Sequence, residues 1–172
     1  SALTKIPLSE LSENKTLIQN KIKSIKEEHK NNLYLQKLPS DGVTINKLKN
    51  IIKKINSKGT KVDVLVLDYI DCLSMEKEFS NSEEWSNEGK IMRAFESMVD
   101  EMNVVGWTAT QGNRSSTSVE VVKTENMGGN LKKAQIAHFI MSIGKTLEQK
   151  DQKIATISIL KNRMGDDGMI FK

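Results

Sequence analysis

The stretch VDVLVLD, at residues 62–68, decides the fold class of this chain. After Asp63 its residues are continuously apolar and rich in β-branched side chains, until Asp68 closes the run. Strands of parallel sheets have this composition because other elements cover them on both faces. The stretch therefore predicts a buried parallel strand with a carboxylate at its carboxyl end.

Helices and strands alternate on both sides of this strand. Apolar residues at helical spacing predict helices over about residues 10–30, 45–55 and 91–102. Further elements are strands at 33–38, 104–110, 139–143 and 153–160, and a short helix over 131–138. A tight turn at 166–168 leads into a C-terminal β-hairpin. The alternation predicts an α/β fold with a mainly parallel sheet flanked by helices.

The composition is that of one soluble domain. The chain has 172 residues, 37% of them hydrophobic and 28% charged, and its formal net charge of +4 suits an anionic partner such as nucleic acid. It has no long apolar run and no signal-peptide layout, so we expect a cytoplasmic protein without membrane association. Cys72 is the only cysteine, and the two histidines lack a metal-binding spacing. These facts argue against disulfides and zinc catalysis.

Asp68 and Gln111 each follow a predicted strand, and open α/β sheets bind ligands beyond the carboxyl ends of their strands. A carboxylate fixed there holds magnesium through water, beside the β- and γ-phosphates of a nucleotide. A neutral amide there contacts the γ-phosphate or orients the attacking water. Each residue has a structural alternative: Asp68 caps the following turn, and Gln111 is the polar start of a loop.

Lys161 and Arg163 follow the strand predicted at 153–160. Positioned cations at a strand end clamp a transferring phosphoryl group, within one subunit or from a neighbouring one. The alternative is a hairpin edge made soluble by charge.

The stretch 111–130 has three glycines, many hydroxyl side chains and no hydrophobic periodicity, which predicts a long loop. Such loops inside compact domains are more often functional than decorative. The composition favours contact with a phosphate backbone and offers no aromatic ring for stacking on bases, although disordered loops share it. The candidate DNA contacts in and just after the loop are Arg114, Ser115, Lys123, Lys132 and Lys133.

Four motifs in register resemble the DnaB-like replicative helicase family. Residues 64–70 (VLVLDYI) are similar to its magnesium-binding strand, and residues 107–115 (WTATQGNRS) to its strand that ends in glutamine. Residues 161–165 (KNRMG) resemble the segment that supplies an arginine finger to the adjacent subunit. Residues 33–35 and 42–44 match the strand and helix start upstream. The order and approximate spacing agree over nearly the whole chain.

The resemblance implies a RecA-like domain of a hexameric ring that uses ATP and Mg²⁺ to move along single-stranded DNA and unwind duplex at the replication fork. Asp68 would coordinate the metal, Gln111 would sense the γ-phosphate, and Lys161 with Arg163 would act on the neighbour's nucleotide. The loop at 111–130 would touch DNA. The family also implies primase and other replisome proteins as partners, movement from 5′ to 3′, and a bacterial cell, or a phage or mobile element within one.

Two other functions stay open. A RecA-type recombinase or related ATPase shares the magnesium aspartate and the phosphate-sensing strand, but the ending at residues 161–165 counts against it. A non-catalytic nucleic-acid-binding or assembly module is the second alternative, because the chain has no G-x-x-x-x-G-K-[S/T], the loop that cradles phosphates. For the same reason we expect this chain to be an incomplete domain that does not hydrolyse ATP by itself.

The expected organisation follows the motifs along the chain. It comprises a helix–strand–helix lead-in at about 10–60, the magnesium strand to the glutamine motif at 61–111, the loop at 111–130, and C-terminal strands with the arginine-finger segment at 131–172. The resemblance implies that the phosphate-loop strand of a RecA-like sheet lies between the strands at 104–110 and 139–143. We therefore expect an altered sheet: closed up, filled by another segment, or completed by a second copy. His138 stands where the family has aspartate and has no assigned role.

Overall fold

The computed structural model describes residues 6–29, 32–39, 41–75, 84–113, 119–124 and 131–172, with the backbone alone at 8, 29 and 84–87. The chain divides into two compact units, Ser1–Leu38 and Pro39–Lys172. None of the described helices is both long and apolar enough to cross a membrane.

Among its described residues, the first unit has one α-helix, and the extended segment at 33–38 is not a strand. Helix α1 spans Lys15–His29, inside the range that the apolar spacing predicts. The prediction of a strand at 33–38 is wrong, because these residues form no regular backbone pairing. Leu33 and Leu35 are 81% and 87% exposed. A strand needs a neighbour for its backbone N–H and C=O groups, and an apolar composition does not supply one.

The second unit opens with helix α2, Ile45–Asn56, which agrees with the helix predicted over about residues 45–55. The Thr44 hydroxyl accepts a hydrogen bond at 3.4 Å from the backbone N–H three residues on. This bond satisfies one of the amides that a first helical turn leaves without a partner. Leu48 and Ile52, both on the predicted apolar face, are buried in the core.

Strands β1 (Val64–Leu67) and β2 (Val105–Thr108) pair in parallel over their full length. Helix α3 (Glu84–Glu101) connects them. Both strands lie inside the predicted ranges and are shorter at each end. The prediction that β1 is covered on both faces is wrong for the described residues, because Val64 and Val66 are 54% and 72% exposed. Only the opposite face of this strand is packed.

Helix α3 packs closely against β2 at Gly106. Phe95 and Met98 of α3 are buried. A Cβ atom at Gly106 would lie 2.7 Å from Val99 Cγ1 and 3.0 Å from the Phe95 ring. The absence of a side chain at this position is therefore what lets the helix approach the strand.

The C-terminal residues form an antiparallel sheet of three strands. Strand β3 (Phe139–Gly144) pairs with β4 (Thr156–Asn162), and β4 pairs with β5 (Ile170–Phe171). Helix α4 (Leu131–Ile136) precedes β3, and helix α5 (Leu147–Asp151) joins β3 to β4. The predicted C-terminal hairpin is confirmed, and its first strand begins and ends a few residues later than predicted.

The prediction of a mainly parallel sheet matches only in part. Among the described strands, β2 pairs only with β1 and β3 only with β4, so one parallel pair and one antiparallel sheet stand separately. The sheet has therefore not closed up in the way we considered. The Trp107 ring of β2 and the Phe139 ring of β3 meet edge to face, with centroids 5.8 Å apart. Side chains, instead of backbone hydrogen bonds, connect the two sheets at this point.

Part of the predicted loop is fixed against β3. The Ser142 hydroxyl donates to the Val122 carbonyl at 2.8 Å, and a Cβ atom at Gly144 would overlap the Glu120 carbonyl oxygen. The Glu120 carboxylate also pairs with Lys172 at 2.6 Å. Residues 119–124 are thus anchored to the sheet, while the remainder of the loop after residue 113 lies outside the described residues.

We expect Gly106→Ala to destabilise the fold by about 1–3 kcal/mol, because the added methyl group overlaps Val99 and Phe95 in a packed core. Urea unfolding followed by circular dichroism measures the change. Lys54→Ala, on the exposed face of α2, is the control and should stay within about 0.5 kcal/mol of the parent. An unchanged midpoint for Gly106→Ala would contradict close packing of α3 on β2.

Candidate nucleotide site

The carboxyl ends of β1 and β2 lie side by side because the two strands run parallel. The Thr108 hydroxyl donates to the Leu67 carbonyl at 3.0 Å. Beyond the strands, the Ile70 backbone N–H donates to the carbonyl of residue 109 at 3.4 Å. Asp68 and Gln111 follow these two strands, so the fold brings the two predicted residues to one edge of the sheet.

Tyr69 holds the side chain of Gln111 at this edge. The Gln111 amide nitrogen donates to the Tyr69 hydroxyl at 3.2 Å. A side-chain hydrogen bond with Cys72, and the charge of that thiol when ionised, raise the pKa of Tyr69. The phenol is therefore protonated at neutral pH. Sequence reasoning missed Tyr69 as a site residue, although its place directly after Asp68 in the resemblance motif was a signal.

Asp68 is exposed at the end of β1 and fits a magnesium ion that is held mainly by other ligands. Among the described residues, no group of three or more acidic, histidine or cysteine side chains could hold a metal ion by itself. Magnesium does not require one, because it keeps several waters and binds through one or two carboxylates together with substrate phosphates. A single accessible carboxylate at a strand end meets that requirement.

A buried ammonium joins the segments that follow β1 and β2. Lys133 of α4 is 4% exposed. Its Nζ contacts one carboxylate oxygen of Asp71 and lies 2.8 Å from Glu88 Oε2. The Thr110 hydroxyl donates to the other Asp71 oxygen at 2.8 Å and accepts from Lys133 Nζ at 3.5 Å. We call Asp71, Glu88, Thr110 and Lys133 the Lys133 cluster.

The position of Lys133 corrects its predicted role as a DNA contact. Burial acts to lower the pKa of Lys133, but its hydrogen bonds and charge interactions with Asp71 and Glu88 raise the pKa above the ordinary value. The ammonium is therefore charged and fully engaged inside the protein. It is not available to a phosphate backbone in this conformation. Adjacent lysines at 132 and 133 are typical of a solvated surface, and for this reason the sequence pattern misled.

Lys161 and Arg163 meet at the C-terminal end of α4. Lys161 Nζ donates to the carbonyls of Ala134 and Gln135 at 2.8 and 2.9 Å, and Arg163 Nη2 donates to the Gln135 carbonyl at 2.8 Å. The last carbonyls of a helix lack partners within it, and the helix dipole favours cations there. Burial and the positive charge of Arg163 lower the pKa of Lys161. The two cations thus belong to the antiparallel sheet, whereas Asp68 follows the parallel pair.

The other expected DNA contacts are only partly located. Lys123 is exposed on the anchored segment 119–124, and Lys132 is exposed on α4. Arg114 and Ser115 lie outside the described residues.

His138, which had no assigned role, faces α3. Its Nε2 lies 3.6 Å from Glu96 Oε1, a separation at which the two form an ion pair when the imidazole is protonated. Its backbone carbonyl accepts a hydrogen bond from the backbone N–H of Arg163 at 3.0 Å. His138 therefore links α3 to the segment that carries the two cations.

Comparisons with known proteins identify the family and the fold of this chain. Residues 1–171 match the family described as DnaB-like helicase C terminal domain. The fold is similar to that of a DnaB-like replicative helicase whose interactions with primase were described, with a TM-score of 0.72 and 19% identity over 91% of this chain and 38% of that one. It is also similar to a second solved structure, described as an ATPase domain, with a TM-score of 0.77 and 17% identity over 96% of this chain and 61% of that one. No curated protein sequence matches.

This chain therefore spans less than two thirds of either solved structure. The likeness of fold establishes a RecA-like α/β arrangement of helices and small sheets. The family match extends from residue 1 to residue 171 and contains both strand ends described above. The chain belongs to the DnaB-like helicase C-terminal domain family.

Proposed function

We propose that this chain is the part of an ATP-dependent replicative DNA helicase that carries the magnesium aspartate, the phosphate sensor and the arginine finger. The observation that carries the proposal is the placement of Asp68 and Gln111 at the adjoining ends of two parallel strands. Ligands of open α/β sheets bind at such ends. The family match favours this function over that of a RecA-type recombinase.

Within one subunit, Asp68 would hold Mg²⁺ through water, and the metal would neutralise charge on the β- and γ-phosphates of ATP. Gln111 would orient the attacking water or contact the γ-phosphate. Its tether to the Tyr69 hydroxyl limits the directions that the amide can take. When the γ-phosphate leaves, the amide would lose that partner and keep its hydrogen bond to the Tyr69 hydroxyl.

Between subunits, Lys161 and Arg163 would stabilise the charge that develops on the neighbour's nucleotide. Lys161 is partly buried and Arg163 is exposed. Arg163 uses one of its five N–H donors on the Gln135 carbonyl, so others stay available to a phosphate. A site completed by the neighbour explains why the cations lie on a different sheet from Asp68, and it favours a closed ring, hexameric in this proposal.

Toward DNA, the loop at 111–130 would follow the phosphate backbone. It starts at Gln111, so a change at the nucleotide reaches the loop directly through the chain. Lys123 and Lys132 are exposed and cationic, and Arg114 and Ser115 complete the proposed contacts. One of the similar solved structures is a DnaB-like replicative helicase that was described together with its interactions with primase. We therefore propose primase and other replisome proteins as partners, in a bacterial cell or a phage-infected one.

We expect this chain by itself to hydrolyse no ATP, because the loop that cradles the phosphates is not in its sequence. A phosphate-release assay with Mg²⁺-ATP, with and without single-stranded DNA, measures this. Release above the level of an Asp68→Ala control would contradict the expectation and would show that other residues can bind the phosphates. The remaining experiments use the loop-containing protein, meaning this chain within a form that includes the phosphate-binding loop.

In the loop-containing protein, Arg163→Ala should lower kcat for ATP hydrolysis by about 1,000-fold, the lower end for an arginine finger. Nucleotide affinity should change little, because the finger acts mainly on the transition state. Steady-state hydrolysis and fluorescent-nucleotide binding measure the two quantities. Arg93→Ala, on the exposed side of α3, is the matched control. A loss of affinity equal to the loss of kcat would contradict the finger role.

Lys123→Ala with Lys132→Ala should weaken binding to single-stranded DNA and make it less salt-dependent. Two lost phosphate contacts reduce the slope of log affinity against log salt by roughly 1.4. Fluorescence anisotropy with labelled oligonucleotides at several salt concentrations measures the slope, and Lys150→Ala on α5 is the control. An unchanged slope would show that neither lysine contacts the DNA phosphates. Strong binding without any nucleotide would favour the non-catalytic binding module.

A further inference from the structure

Lys133 lies where three segments with separate tasks meet. Asp71 comes three residues after Asp68, and Thr110 comes directly before Gln111. Both bond to the Lys133 ammonium and to each other. One buried cation therefore fixes the spacing of the two strand ends just past the last backbone hydrogen bond between them.

Glu88 adds the third segment, because it belongs to the first half of α3. Its Oε2 lies 2.8 Å from Lys133 Nζ and makes an ion pair with it. The cluster thus joins the turn after β1, the end of β2 and helix α3 to helix α4. These are the elements that carry Asp68 and Gln111, together with the helix that connects their strands.

The C-terminal end of α4 accepts hydrogen bonds from Lys161 and Arg163. This helix has six residues, and its carbonyls at Ala134 and Gln135 accept the hydrogen bonds of Lys161 and Arg163. Ala134 is the residue next to Lys133. A shift of Thr110 or Asp71 that moves the ammonium therefore reaches these carbonyls within one helical turn.

A buried lysine at position 133 is unfavourable for stability, so its role is sought in the contacts that it makes. Removing an ammonium from water is costly, and well-packed apolar residues often serve stability as well as a buried ion pair does. The hydrogen bonds from this Nζ to Asp71 and Thr110, together with its ion pair with Glu88, constrain the relative positions of three segments in a way that an apolar side chain does not. The main effect of the Lys133 cluster is therefore to fix the relative positions of these segments, more than to stabilise the fold.

We propose that Lys133 is a positioning residue of the nucleotide site, which holds the strand ends bearing Asp68 and Gln111 in register and ties them through α4 to Lys161 and Arg163. The inference rests on the proposed function and deepens it. Each subunit would thereby couple the nucleotide it holds to the cations that it presents to the next subunit.

The test is Lys133→Met in the loop-containing protein, which keeps the length of the side chain and removes its charge. We expect kcat for ATP hydrolysis to fall by about 100-fold, the effect of a displacement of roughly 1 Å at a reacting site. Nucleotide affinity should change by less than about 3-fold, because binding depends on the phosphate loop more than on register. Lys49→Met is the matched control, since it removes another lysine–carboxylate pair with a helix α3 residue, Glu101.

A second variant covers the case in which Lys133→Met fails to fold. Thr110→Val keeps the shape of the side chain and removes only its hydrogen bonds, and we expect a drop in kcat of about 10-fold, the equivalent of one lost hydrogen bond. In Thr110→Val with Asp71→Asn, the loss should be no greater than that of the worse single variant, because residues of one unit are not additive. Additive losses in this double variant would overturn the inference.

The remaining outcomes separate the inference from the proposed function. Hydrolysis by Lys133→Met at the rate of Lys49→Met would overturn the inference alone. If Lys133→Met binds single-stranded DNA more weakly and its DNA-independent hydrolysis is unchanged, the inference is also overturned. Lys133 would then be a DNA contact, as the sequence predicted. Failure of the unaltered loop-containing protein to hydrolyse ATP would overturn the proposed function, and the inference with it.

Discussion

The parallel pairing of β1 with β2 is the constraint on which the rest of the site depends. Because the strands run in one direction, their carboxyl ends open at the same edge, and Asp68 and Gln111 become neighbours although more than forty positions separate them in the sequence. Helix α3 connects the two strands and packs closely against β2 at Gly106. A glycine in the middle of a strand is thus one of the conditions for the site.

Side chains extend this pairing past the ends of the strands. The hydroxyl of Thr108 caps the Leu67 carbonyl, the amide of Gln111 reaches the Tyr69 phenol, and the Lys133 cluster follows. The contacts become more strongly charged with distance from the sheet. Position in this region therefore depends on a few directed polar contacts, which a bound phosphate can rearrange more readily than it can a strand pair.

The sequence predicted Asp68 and Gln111 at the ends of two strands because strand ends have a clear signature. An apolar run that closes in aspartate, and another that closes before glutamine, indicated both partners and their order. It did not predict that β1 has an exposed face or that residues 33–38 lack a partner, because composition records a preference for strand structure and not the presence of a neighbouring strand. Lys133 was misplaced for a related reason: its burial depends on Asp71 and Glu88, which are distant in sequence.

The division between two sheets has a direct functional meaning in this account. Asp68 and Gln111 belong to the parallel pair, Lys161 and Arg163 belong to the antiparallel sheet, and α4 connects them. In the proposed function, each cation pair would act on the nucleotide of a neighbouring subunit, so that a complete site would need residues from two chains.

The most direct test of that claim is ATP hydrolysis by mixed rings of the loop-containing protein. Asp68→Ala subunits and Arg163→Ala subunits are each prepared alone, where both should be nearly inactive, and are then reassembled together. If the site is shared between subunits, activity returns on mixing, because some Arg163→Ala subunits receive an intact finger from an Asp68→Ala neighbour. Rings that stay inactive at every mixing ratio, with reassembly confirmed by subunit exchange, would contradict a site shared between subunits.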